Sequence, residues 1–219
     1  MSTPPPRWGA EPVFAGTGGG GGQPGIGTVM LRTMRLVLRP IEPNDLGQWL
    51  QYCDESDGSF RPYFPTPDSL DPLLRFDLAV QKTLVGFQSG TAARFMAFDV
   101  GDGRIVGQVA LNMIVRGVME SCVMGWAVHP AWQRRGFGAE MCRSTLGLAF
   151  APALAAQGKR SGLGLHRVGC SIMPRNVASL RLAARLGFRQ EGLSRKYLRI
   201  NGMWEDHVMF SQLAEEFLA

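Results

Sequence analysis

The feature that most constrains this chain is the run Gly125-Trp126-Ala127-Val128-His129-Pro130-Ala131-Trp132-Gln133-Arg134-Arg135-Gly136-Phe137-Gly138. The apolar residues up to Val128 predict a strand. Met141, Thr145, Leu148 and Ala149 then recur near one face of a helix expected over 138–156. Between the two lies a basic loop with two glycines. A strand that runs through such a loop into a helix makes a phosphate-binding geometry. Glycines let backbone amides approach an anion closely, the first helical N–H groups lack intrahelical carbonyls, and the helix dipole adds favourable partial charge. Arg134 and Arg135 raise the local positive potential. Two better-known phosphate loops do not fit: position 141 is Met rather than the third glycine of GxGxxG, and no Gly-Lys-Ser/Thr follows. Nicotinamide and ATP sites are thereby disfavoured. An isolated Gly-x-Gly is more often a plain turn with solvated arginines, so the surrounding residues decide the matter.

Those surroundings alternate strands and helices. Arg35-Leu36-Val37-Leu38-Arg39 alternates polar and apolar residues before Pro40 and predicts a strand from Met34; Asn44 and Asp45 offer capping side chains ahead of a helix with Leu46, Trp49 and Leu50. Segment 60–68, with Pro62, Pro65 and Pro67, reads as a turn-rich loop, and residues 70–87 as a second helix. Strands are predicted over 93–99, 105–112 and 121–128. Gly101-Asp102-Gly103 turns the first into the second, and Arg116-Gly117 marks the next turn. Beyond the helix over 138–156, residues 158–164 read as a mobile connection and 168–173 as a strand. Asn176 caps a helix running to Leu186, with Gly187 at its C-terminus. Strands over 188–200, broken near Gly192, and 203–213 close the domain through the hairpin signal Asn201-Gly202. The order is α+β, without internal repeats.

Residues 1–29 contain Pro4–Pro6 and a glycine run from Gly18 to Gly22, which predicts a flexible tail ahead of one domain over 30–219. The tail lacks the basic start and the apolar stretch of about 7–15 residues that a signal peptide needs. With order expected from near Leu31, Met30 and Met34 are candidate initiators. A chain of 219 residues builds one sizeable core but not two comfortable ones. Its apolar runs fall short of the roughly 20 residues of a membrane-spanning helix, so a soluble protein without a membrane partner is expected. The net charge of +5 favours anionic partners without choosing among them. Cys53, Cys122, Cys142 and Cys170 form no CxxC or Cys/His cluster and read as buried thiols in a reducing cytoplasm; His129, His166 and His207 are equally dispersed, so no metal site is predicted. No helix-turn-helix, RNP or zinc-finger pattern supports direct nucleic-acid binding.

The second informative stretch is Leu165-His166-Arg167-Val168, then Met173-Pro174-Arg175-Asn176-Val177-Ala178-Ser179-Leu180, then Arg185-Leu186-Gly187-Phe188-Arg189-Gln190-Glu191-Gly192. Gln-x-x-Gly-x-Gly between a strand and a long helix resembles the acetyl-CoA pyrophosphate loop of the GNAT superfamily. Asn-x-x-Ser followed by Leu-Gly-Phe and Glu-Gly resembles its branch of ribosomal-protein alanine N-acetyltransferases, RimJ and RimL. The tail Tyr197-Leu198-Arg199-Ile200-Asn201-Gly202-Met203-Trp204-Glu205-Asp206-His207-Val208 is most similar to RimJ. The likeness spans roughly Leu31 to Leu213. It implies a central mixed, mostly antiparallel sheet of about seven strands with about four helices. It also implies acetyl-CoA contacts from Gln133, Arg134, Arg135, Gly136 and Gly138, with Ala127 and Val128 pairing to the pantetheine arm through their backbones. Asn176 is expected to cap its helix and to belong to the site.

The chemistry implied is direct attack of a primary amine on the acetyl thioester in a ternary complex, which needs oxyanion donors and a proton for the departing thiolate. Many family members place a tyrosine on the last helix for that proton. The matching position here is Ala183, and RimL-like enzymes suggest Ser179 instead. Glu120, Glu191, Glu205, Asp206 and His207 are the available proton acceptors, and the base stays unassigned. The loop Phe60-Arg61-Pro62-Tyr63-Phe64-Pro65 is either acceptor-groove lining or an aromatic clamp onto the core. By resemblance the acceptor is a protein N-terminus, ribosomal or other. A small amine or antibiotic is the alternative acceptor, and a non-catalytic ribosome-binding factor the alternative class.

Overall fold

The structure, a computed structural model, describes residues 12–14, 29–65, 70–153 and 162–218. The described residues form one nine-stranded sheet, in which β1 (Pro12–Phe14), β2 (Val29–Arg32), β3 (Leu36–Arg39), β4 (Ala93–Asp99), β5 (Ile105–Val115) and β6 (Ser121–Val128) follow chain order. Beyond β6 the order is β7 (Arg167–Ile172), β9 (Met203–Leu213), then β8 (Arg189–Ile200) at the far edge. Neighbouring strands are antiparallel except β6 and β7. All seven predicted strands are present. The additions are β1 at the sheet edge, β2 beside it, and the short terminal helix α5 (Ala214–Leu218). Most of the expected tail lies outside the described residues, but Pro12–Phe14 pairs with Val29–Leu31 at the sheet edge.

Two apolar clusters sandwich the sheet. Alternation along β4 puts Phe95 and Ala97 into one cluster and Met96 and Phe98 into the other, so the clusters lie on opposite faces. Helices α3 (Phe137–Phe150) and α4 (Val177–Leu186) pack on the first face; α1 (Leu46–Phe60) and α2 (Pro72–Ser89) cover the second through Trp49, Tyr52 and Phe76.

The helix boundaries differ from the predicted ones for local reasons. Helix α3 stops at Phe150 rather than near 156, because Pro152 drives Ala151 out of the helical region to φ −56°, ψ 143°. Residues 154–161 lie outside the described set; the described end of the predicted mobile connection is tied down, with Leu163 and Gly164 donating to Leu148 and Ala151 carbonyls. Asp45 does not cap α1 with its side chain. Buried, it takes a bidentate grip from Arg39, both contacts at 2.7 Å, and accepts from the Glu42 amide in a short 3-10 turn over Pro43–Asp45. The paired guanidinium and the Glu42 amide outweigh burial and hold the Asp45 carboxyl below its usual range. Helix α2 starts at Asp71, whose side chain accepts from the Leu73 and Leu74 amides, and ends at Gly90, φ +68°.

Candidate active site

The parallel pair β6–β7 is the centre of the site. Its ladder holds for three positions, Ser121↔Arg167, Cys122↔Val168 and Val123↔Gly169, and then stops, although β6 continues to Val128 and β7 to Ile172. Residues 124–128 pair with β5 on their other side. The β6 edge facing β7 therefore offers backbone donors and acceptors to a further extended partner. Because the two strands are parallel, their C-terminal ends meet at the gap, and so do the starts of α3 and α4 that follow them.

At the end of β6, the His129 Nδ1 accepts from the Ala131 amide and caps a 3-10 turn over Pro130–Trp132. With Nδ1 accepting, the proton sits on Nε2, which lies 3.1 Å from the Glu55 carboxylate of α1. This buried histidine thus ties α1 to the loop base. Gln133 donates from Nε2 to the Val128 carbonyl at 3.0 Å, closing the loop on β6. Arg134 takes φ +58° and Gly136 φ +87°, the latter immediately before α3. The exposed Arg135 guanidinium lies 4.8 Å from the Trp132 ring centre, and its carbonyl accepts from Arg35. Arg35 also grips Glu140 in the first turn of α3, while Thr33 donates to the same carboxylate at 2.6 Å, so β2–β3 buttress the start of the helix.

Gly138 shows why a side chain is excluded here: a Cβ would lie 3.1 Å from Val128 Cγ2 and 3.2 Å from Leu182 Cδ2. The start of α3 thus rests directly against β6 and α4. Leu182 and Ser179 are three residues apart on one face of α4, so Ser179 lies one turn nearer the gap. Asn176 accepts from the Ser179 amide at 3.1 Å and caps α4, as its sequence position predicts; Gly187, φ +92°, ends the helix. Ala183 is fully buried in the core. The structure thus ties Gln133 to Val128 and packs Gly138 between Val128 and Leu182 of the helix that Asn176 caps at Ser179, with Arg134 and Arg135 exposed on the loop before Gly136.

The predicted proton acceptors scatter. Glu205 is held by Arg175 at 2.6 Å and Glu191 by Arg167 and Ser211; each partner bond keeps its carboxyl below the usual range, which makes both weak bases. Glu120 pairs with Arg116, and Asp206 accepts from the Lys196 amide. His207 is buried beside Tyr197, with Nδ1 3.0 Å from the Glu205 carbonyl. The loop at 60–65 joins this end: Arg175 donates to the Pro62 carbonyl, and Asn201 in the β8–β9 turn donates to the Arg61 carbonyl. Phe64 stacks edge-on against Phe60 and walls a cleft of about 270 Å³. Trp49, Lys82, Arg94, Gln108, Asn112, Gly125 and Trp126 also line it. Lys82, Arg94 and Asn112 carry no local signal in the sequence, because they come from three separate elements, α2, β4 and β5. Among the described residues, no group of three His, Cys, Asp or Glu side chains could hold a metal ion, and no helix is long and apolar enough to cross a membrane.

A family model described as an acetyltransferase (GNAT) domain matches residues 35–189. The probable N-acetyltransferase YjcK of Bacillus subtilis is 34% identical over 193 residues, covering 84% of this chain and 97% of that protein. The [ribosomal protein uS5]-alanine N-acetyltransferase of Escherichia coli is 30% identical over 182 residues, covering 83% and 89%. Among solved structures, Mycobacterium smegmatis RimJ in complex with CoA-disulfide superposes with a TM-score of 0.73 at 24% identity, over 86% of this chain and 88% of that one.

Proposed function

This chain belongs to the GNAT family of acetyltransferases, and we propose that it moves the acetyl group of acetyl-CoA onto the N-terminal α-amine of a protein, ribosomal or other. The observation that carries the reading is the opened β6–β7 ladder, with the glycine loop and the α3 N-terminus at its mouth. An extended pantetheine arm fits the β6 edge beyond Val123, the stretch that includes Ala127 and Val128. The pyrophosphate fits the first amides of α3, which Gly136 and Gly138 leave accessible and Gln133, Arg134 and Arg135 surround. The solved RimJ neighbour is in complex with a CoA-disulfide, which supports a CoA site in this fold. The acetyltransferase domain is taken to span 30–219, and the buried or half-buried free thiols suit a reducing cytoplasm.

The residues then divide the work. When bound, acetyl-CoA supplies an activated acyl carbon. The acceptor amine attacks it, the C–S bond breaks, and the thiolate takes a proton. Backbone amides of the β6 edge are positioned to stabilise the oxyanion. Ser179 is the proton donor on the α4 face that meets the gap, and Asn176 holds that turn in place. Glu191 and Glu205 are tied up by arginines, so the amine sheds its proton to solvent; kcat/KM should climb with pH and level off near the α-amine pKa of about 8. Turnover of N-terminal peptides, followed by mass spectrometry with saturating acetyl-CoA, tests the acceptor. Acetylation of small amines but of no peptide α-amine would rule it out.

A further inference from the structure

Arg94 differs from Arg39 and Arg75, two other half-buried arginines. Arg39 holds Asp45 and Arg75 holds Asp57, each at 2.7 Å, whereas Arg94 pairs with no carboxylate among the described residues. Its Nη1 donates to the Lys82 carbonyl at 3.0 Å, across the gap left by Gly86 in α2, where a Cβ would lie 2.8 Å from that nitrogen. Burial without a counter-ion lowers its pKa from the ordinary arginine value. A guanidinium desolvated in this way attracts an anion strongly, because little water screens it.

The surroundings give that anion a place. Arg94 and Lys82 line the cleft beside Trp49 and Phe64, and among the described residues no aspartate or glutamate lines it. The strand register sets Arg94 opposite Ala110, and Ala110 opposite Gly125. This row forms a floor of small residues, and a Cβ at Gly125 would meet nothing within 4 Å. The next row contains Met96, Gln108 and Ala127, so the floor runs to the β6 residues proposed to hold the acetyl donor. Two strand spacings separate Arg94 from Gly125, about 10 Å. Two or three extended residues span that distance at roughly 3.3–3.6 Å each.

We propose that the cleft selects acceptor peptides with an acidic side chain at the second or third residue, the carboxylate held by Arg94 with Lys82. The inference rests on the proposed acceptor class. It adds charge selection, which the floor of small residues makes sterically possible.

The test measures kcat/KM, by release of the CoA thiol from saturating acetyl-CoA, for Ala-initiated peptide amides carrying Glu, Gln or Lys at positions two, three and four. The full-length protein should prefer Glu over Gln by about tenfold at position two or three. Added NaCl should weaken that preference, and Arg94→Gln should bring it to within twofold with the KM for acetyl-CoA unmoved. Loss of an α2 anchor alone would change stability but leave the Glu/Gln ratio intact. If Arg94→Gln does not fold, Lys82→Gln on the exposed side of the cleft should still reduce the ratio. Equal rates for Glu and Gln peptides, or a ratio preserved in the folded Arg94→Gln and Lys82→Gln proteins, overturn the proposal. If acetyl-CoA binds but no peptide reacts, the peptide reading fails; phosphoethanolamine against ethanolamine then decides charge selection, with equal or absent turnover overturning it as well.

Discussion

Replacing Gly138 by alanine puts a methyl group 3.1 Å from Val128 Cγ2 and 3.2 Å from Leu182 Cδ2. Carbon atoms prefer about 3.5–4.0 Å, so the start of α3 must move away from β6 and α4 by about half an ångström. Overpacking of this kind costs about 1–3 kcal/mol, and alanine's better helix propensity returns about 1 kcal/mol. The net loss of stability is therefore at most about 2 kcal/mol. The amides at the α3 N-terminus move with the helix. A hydrogen bond to a charged group contributes about 1.5–3 kcal/mol, so weakening the amide contacts to the pyrophosphate should cost about tenfold in acetyl-CoA affinity, or about 1.4 kcal/mol. Calorimetric titration, with urea melts to establish folding, reads both quantities. Gly136→Ala makes a useful companion, because its φ of +87° is strained for any L side chain and costs about 1–2 kcal/mol. Acetyl-CoA affinity within twofold of the parent in a folded Gly138→Ala protein would refute the argument that the packing of α3 against β6 and α4 sets the cofactor loop.

Asn176→Ala removes the α4 cap and should cost about 1 kcal/mol in a urea melt; no change in midpoint would show that water replaces the cap. Ser179→Ala should lower kcat by about 100-fold, in the range of general acid catalysis, with little effect on acetyl-CoA affinity. An unaltered kcat would move the proton source elsewhere. Burial raises the Cys53, Cys122 and Cys170 thiols from 9.0 to about 12. Above pH 9 the unfolded chain loses thiol protons that the folded chain keeps, so this contribution to stability is full below about 9 and is lost as pH climbs towards about 12. Replacing the three cysteines should flatten that fall in thermal melts, and an identical slope would contradict the assignment.

What the sequence disclosed was mostly local. Asn176 and Gly187 delimit α4 by side-chain and left-handed backbone chemistry that acts within a few residues, and Asn201-Gly202 does the same for the last hairpin. The strand, glycine loop and helix around Gly136 were legible as one unit because they are contiguous. Asp45 misled, since its capping chemistry is overridden by Arg39, six residues earlier and brought alongside by the turn at Pro43. The overlong α3 came from apolar spacing that continues past the break at Pro152. The cleft was unreadable because α2, β4, β5 and β6 each contribute only one or a few side chains to it, and only the sheet register puts Arg94 in line with Gly125. The early end of the β6–β7 ladder, on which the functional reading depends, has no local signal in either strand.

The central claim is that the β6 edge and the α3 N-terminus bind acetyl-CoA. Calorimetric titration of the purified protein with acetyl-CoA tests it most directly. The account predicts saturable one-to-one binding in the micromolar range, about −8 kcal/mol; no binding by protein shown to be folded would contradict it.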